Sequence, residues 1–97
     1  MDLKKLLASS MRQRILEELA THREMRVMQL VHGVSSPYNE VNRNLGILKA
    51  EGIITDSYSK PVRHGVIRVI GLNRENPRTL MLLEALKVLG KEKNSKP

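Results

Sequence analysis

The sequence predicts a mainly α-helical domain with one small β-hairpin, and three observations carry that expectation. Apolar residues recur at helical spacing through most of the chain. The pattern turns to β-rich runs only in "IITDSYS" and "VIRVIGL". The core must be aliphatic, because the 97 residues include no Phe, no Trp and two Tyr. A chain of this length holds one hydrophobic core.

Taken in order, residues 2–8 predict a short helix with Leu3, Leu6 and Leu7 on one side. Ser9 and Ser10 interrupt it, and either can cap the next helix. Met11, Ile15, Leu16 and Leu19 form that helix's apolar stripe. "THRE" is a polar break, and "MRV" is a candidate for a tiny strand. "MQLVHGV" predicts another short helix ending near Gly33, where a left-handed cap is expected. "SSP" predicts the next start, with Ser as N-cap and Pro37 at the first helical position. Val41, Leu45 and Leu48 follow at i, i+4 and i+7, and Gly52 closes the helix. "KPVRHG" joins the two β-rich runs as a basic loop. Asn76 caps a last helix, Pro77 opens it and Gly90 closes it. Residues 1–90 are thus expected as the domain and 91–97 as a flexible basic tail.

Helix, helix, short strand, helix, helix, hairpin, helix is the order of a winged helix-turn-helix. Its three-helix core would carry a wing, with the first and last helices available for dimerisation. Charge points to the partner. Lys plus Arg is 17 and Asp plus Glu is 10, a net +7, which suits a polyanion, most simply nucleic acid. A solvated basic surface and an acidic membrane surface are the alternatives.

Composition also excludes. The absence of cysteine rules out disulfides, thiolate catalysis and cysteine zinc sites. No apolar run reaches the ~18 residues of a membrane span. The opening "MDLKKLLASS" is too short and too interrupted by Lys for a secretory signal. A cytoplasmic, nucleoid-associated protein without a membrane partner is expected. His22, His32 and His64 lack metal-ligand spacing, no glycine-rich phosphate loop follows a strand, and no acid–base pair is evident. No enzyme activity, metal or cofactor is therefore expected.

A family likeness rests on two stretches. "LKKLLASSMRQRILEELA" resembles the opening of ArsR-type repressors, and "VNRNLGILKAEGII" resembles the recognition-helix ending shared by ArsR-like and MarR-like regulators. The likeness spans roughly residues 3 to 72, and the final helix resembles the family's dimerisation helix. It implies a homodimeric, DNA-binding transcriptional regulator of bacterial or archaeal type. The chain departs from the family's metal sensors: it has no cysteine, and between Asn76 and Gly90 there is no His and one acid, Glu84.

In the expected recognition helix, 37–50, the wheel separates two faces. At about 100° per residue, Asn39, Asn42, Arg43 and Gly46 fall some 100–200° from Val41, on one outward face. Asn pairs bidentately with adenine and Arg with guanine in the major groove. Gly46 would let that face lie close to a duplex. Tyr38 and Lys49 are candidates for phosphate contact at its edge, Tyr38 also for a thymine methyl. Asn44 falls on the other flank, where a neighbouring helix or water is the expected contact. In the wing, 60–65, Lys60, Arg63 and His64 form a basic tip, with Arg68 on the returning strand. Arg63 suits a narrow minor groove, although a basic hairpin also protects an edge strand from aggregation. Arg12 and Arg14 could reach phosphates or pair with Glu17 and Glu18.

"TLMLLEALKVL" is apolar on most sides, so it is expected to be buried on most sides. A second copy would cover it, with Leu3, Leu6, Leu7, Leu82, Leu83, Leu86 and Leu89 in the seam. Burial within its own core is the alternative. Double-stranded DNA and a second copy are the expected partners. A general nucleoid or chromatin protein, or a winged helix used for protein contacts, is the competing functional class. Operator and effector are not written in the sequence.

Overall fold

Three strands tie the helices together, the short one near "MRV" and the two of the hairpin. The structure is a computed structural model and describes residues 1–59 and 65–94. Helix α1 (Leu3–Leu7) starts at Asp2, whose carboxylate accepts from Lys5 N at 2.8 Å. Helix α2 (Ser10–His22) starts at Ser9, whose hydroxyl accepts from Arg12 N at 3.2 Å. A short polar acceptor satisfies one of the unpaired N–H groups of a first helical turn, and Ser and Asp suit that task. The α2 stripe of Met11, Ile15, Leu16 and Leu19 is buried as its spacing predicts.

Strand β1 (Glu24–Arg26) leads into α3 (Val27–Val34). The turn after α3 differs from the expectation. The left-handed residue is Ser35, with φ 52°, and Gly33 lies inside the helix. A Cβ at Gly33 would meet only the carboxylate end of the Glu18 side chain of α2, at 3.0 Å.

Helix α4 (Tyr38–Ala50) begins one residue later than expected, with Pro37 as an extended N-cap and no side-chain cap. Neither Ser35 nor Ser36 caps it, because Ser36 donates its hydroxyl to Val34 O. The C-terminal turn is as read. Gly52 has φ +75°, its N–H reaches Lys49 O at 2.9 Å, and Ile53 N reaches Leu48 O at 3.0 Å. That pair of bonds satisfies carbonyls the helix leaves open and needs a residue without Cβ at the left-handed position.

Strands β2 (Ile54–Ser59) and β3 (Ile67–Leu72) pair antiparallel, Ile54 opposite Leu72 and Tyr58 opposite Arg68. β1 adds to the other side of β3, Met25 opposite Ile70, giving the order β1-β3-β2. Met25, Ile54 and Ile70 are buried, so one sheet face packs on the helices.

Helix α5 (Pro77–Asn94) opens at Pro77 as expected. Thr79 is fully buried and its hydroxyl donates to Ile53 O at 3.2 Å, which fixes α5 to the start of β2. Gly90 does not close the helix, which runs on to Asn94 into the stretch read as tail. A lone Gly costs a helix only about 1 kcal/mol, and the Lys and Glu residues that follow are good helix formers. Among the described residues no helix is long and apolar enough to cross a membrane.

Candidate nucleic-acid interface

Helix α4 divides as the wheel predicts. Val41, Leu45 and Leu48 are fully buried. Burial of these three offsets the low helix propensity of the Asn and Gly residues around them. Asn39, Asn42, Arg43, Gly46 and Lys49 are exposed. A Cβ at Gly46 would meet nothing within 4 Å, so no packing within the described residues calls for glycine there. Arg43 approaches Glu40 at 3.8 Å, with side chains 71% and 56% exposed. An exposed pair of this kind holds the guanidinium weakly.

Asn42 and Tyr38 differ from the rest of that face, because both meet Arg68. Arg68 Nη1 donates to Asn42 Oδ1 at 2.7 Å and to Tyr38 Oη at 3.2 Å. Its Nε and Nη2 donate to the two oxygens of Asp56 at 2.9 and 2.6 Å. The Asp56 and Arg68 side chains are only 5% and 13% exposed. The bidentate bond to Asp56 holds the guanidinium still further from deprotonation than usual, against a smaller opposing effect of burial. The sequence places Arg68 among the candidates for DNA contact. Its guanidinium is held within the protein and joins β3 to β2 and α4. Asp56 is not among the candidates read from the sequence, although strand parity marks it: it shares a face with buried Ile54, as Arg68 does with buried Ile70. Two opposite charges on the inward face of a hairpin are that signal.

Asn44 is buried and belongs to a second polar lock. Its Nδ2 donates to Glu40 O at 2.9 Å, and its Oδ1 accepts from Arg12 Nη1 at 3.0 Å. Arg12 also donates to Leu6 O and Lys5 O, each at 2.9 Å. Arg12 is therefore a clamp between α1, α2 and α4, and it forms no ion pair with Glu17 or Glu18. Arg14 donates to Val34 O at 3.0 Å and remains exposed. Lys60, Arg63 and His64 lie outside the described residues. Among the described residues no group of three or more His, Cys, Asp or Glu is placed to hold a metal ion.

The expected dimer seam is partly corrected. Leu6 and Leu82 are fully buried in the chain's own core. Thr79, Leu82 and Leu86 follow at helical spacing, which turns that side of α5 inward. Leu3, Leu7 and Leu86 are half-buried against the core, Leu83 is half-buried and Leu89 is exposed. The apolar surface left open is Leu80, Met81 and Val88, each at least 50% exposed, with Leu89 at 37%. Beside it, Leu80, Leu83 and Leu86 line an open groove of ≈ 620 Å³ between α2 and α5, edged by Glu17, Arg74, Glu84 and Lys87.

No protein-family model matches the chain, and no curated protein matches it. Solved structures do. The antimony-specific transcriptional repressor AntR superposes with a TM-score of 0.75 at 26% identity, over 97% of this chain and 78% of that one. A MarR family transcriptional regulator from Silicibacter pomeroyi gives 0.70 at 23%, over 97% of this chain and 62% of that one. A homodimeric winged helix-turn-helix DNA-binding domain from Mycobacterium bovis, given as a possible ArsR-family regulator, gives 0.68 at 22%, over 94% and 77%. The chain has the winged helix-turn-helix fold, and its structural neighbours are ArsR- and MarR-type transcriptional regulators.

Proposed function

We propose that the chain is a sequence-specific, double-stranded DNA-binding transcriptional regulator that works as a homodimer and represses by occupying its promoter. Helix α4 lies in the major groove, and the wing, 60–65, follows the backbone or the adjacent minor groove. One observation carries the reading: Asn39, Arg43 and Gly46 stand exposed on a helix whose opposite face is fully buried. The net +7 supplies the attraction to phosphate. Similarity to AntR, a repressor, supports the class of action. Its antimony specificity does not carry over through thiolates, the soft ligands such a metal favours, because this chain has no cysteine.

The open stripe of Leu80, Met81, Val88 and Leu89 on α5 supports a two-fold partner. Two copies would set two α4 helices about one DNA turn apart. The test is a titration at several salt concentrations of random duplex against duplex from upstream of the protein's own gene. Specific binders gain ~10³-fold or more over random DNA. A ratio near one at every salt concentration would replace the regulator by a general nucleoid protein.

A further inference from the structure

We infer that Arg68 determines sequence specificity without touching DNA, by dictating which end of the Asn42 amide is offered to the bases. The inference rests on the reading of α4 as a major-groove helix. A guanidinium carries only donors, so the Asn42 atom 2.7 Å from Arg68 Nη1 must be the amide oxygen. Arg68 cannot turn to release it, because Asp56 grips its other side through two bonds at 2.9 and 2.6 Å. Asn42 itself is exposed, and its Nδ2 has no partner among the described residues.

The consequence is chemical. Reading adenine with an asparagine uses both ends of the amide, the oxygen accepting from N6 and the nitrogen donating to N7. Here the oxygen already serves a cation. The oxygen keeps a second lone pair, but a donor approaching it would meet the positive charge of the guanidinium alongside, which weakens that bond. What remains is a donor, fitted to acceptor edges with no donor alongside: guanine N7 and O6, or thymine O4, whereas at adenine the N6 amino donor stands beside N7 and needs the occupied oxygen. Asn42 is therefore a donor-only reader, and the free Asn39 is the residue left for bidentate recognition of adenine.

The test is selection of binding sites from a randomised duplex pool by the wild type, Asn42→Ala, Asn42→Asp and the double variant Arg68→Met with Asp56→Leu. Asn42→Ala marks the base position concerned by relaxing it. The wild type is expected to take guanine or thymine there. Asn42→Asp keeps the bond to Arg68 but offers an acceptor, so the preference should move to cytosine or adenine, whose amino groups donate. The double variant removes both buried charges together and frees the amide oxygen. Adenine should then be favoured, by about 5- to 150-fold for a bidentate pair. Should the double variant fail to fold, Asn42→Asp carries the test. Adenine at that position in the wild type, no change in preference with Asn42→Asp, or no relaxed position with Asn42→Ala overturns the inference and leaves the DNA-binding reading standing. A wild type that selects no motif overturns that reading itself.

Discussion

Arg12 and Asn44, on separate helices, are joined by a 3.0 Å hydrogen bond from Nη1 to Oδ1. The bond explains why a weak helix former occupies the buried side of α4. Asn44 accepts from α2 and donates back to Glu40 O, so both ends of its amide are used.

Asn44→Ala should therefore destabilise the fold. It strips a partner from Arg12 and leaves a small void, a loss of about 1–3 kcal/mol. In a domain of this size each kcal/mol lowers the melting midpoint by roughly 4–8 °C. Calorimetry checks this, and the change should appear equally with and without DNA.

Gly46→Ala should act with opposite signs on stability and binding. The added methyl meets nothing within 4 Å, so the helix gains about 1 kcal/mol. If α4 enters the major groove as proposed, the same methyl would come between it and the bases, and affinity for the selected duplex should fall. A variant that is more stable and binds equally well would mean that this face does not approach DNA closely.

Asp56→Ala should be among the most damaging polar substitutions. It leaves the Arg68 charge largely buried without its carboxylate, a situation that costs about 3 kcal/mol. Replacing both residues, as Arg68→Met with Asp56→Leu, should recover most of that loss. Denaturant unfolding of the single and double variants separates the two cases.

The two sides of α5 should respond differently. Met81→Glu with Val88→Glu places charges on exposed positions and should convert a dimer to a folded monomer, read by light scattering and circular dichroism. Leu82→Glu buries a carboxylate in the core and should unfold the chain.

Acid should loosen the junction of α1, α4 and α5. The Met1 ammonium and then Arg78 hydrogen-bond to Glu51, holding its carboxyl below the ordinary 4.5. A lowered folded-state value contributes stability above the unfolded value, and that contribution is lost as pH falls through the folded one. Glu51→Gln should thus be less stable than the wild type at neutral pH, and the gap should begin to narrow below pH 4.5 and close as pH falls through the lower folded-state value.

Element types were legible because each rests on local periodicity or a cap. Val41, Leu45 and Leu48 announce the buried face of α4, and Asn76 with Pro77 announces the start of α5. What escaped depends on residues distant in sequence. Gly33 read as a helix end because glycine often ends helices, yet it lies inside α3, beside the carboxylate end of Glu18 of α2. The inward pair Asp56 and Arg68 becomes visible only when the hairpin register is known. Similarly, Leu82 could not be told from its exposed neighbours until the neighbouring helices fixed the rotation of α5.

The sheet order has a mechanical meaning. With β1 bonded along Glu24–Arg26 to the flank of β3, the β2–β3 hairpin is held at its root on both sides of β3. Gly71 lies in that clamp, where an added Cβ would press on Thr55 at 3.1 Å. A small rotation there is magnified along the length of β2 and β3. Residues beside the three-residue β1 can thus set the direction in which the β2–β3 hairpin projects from the helices.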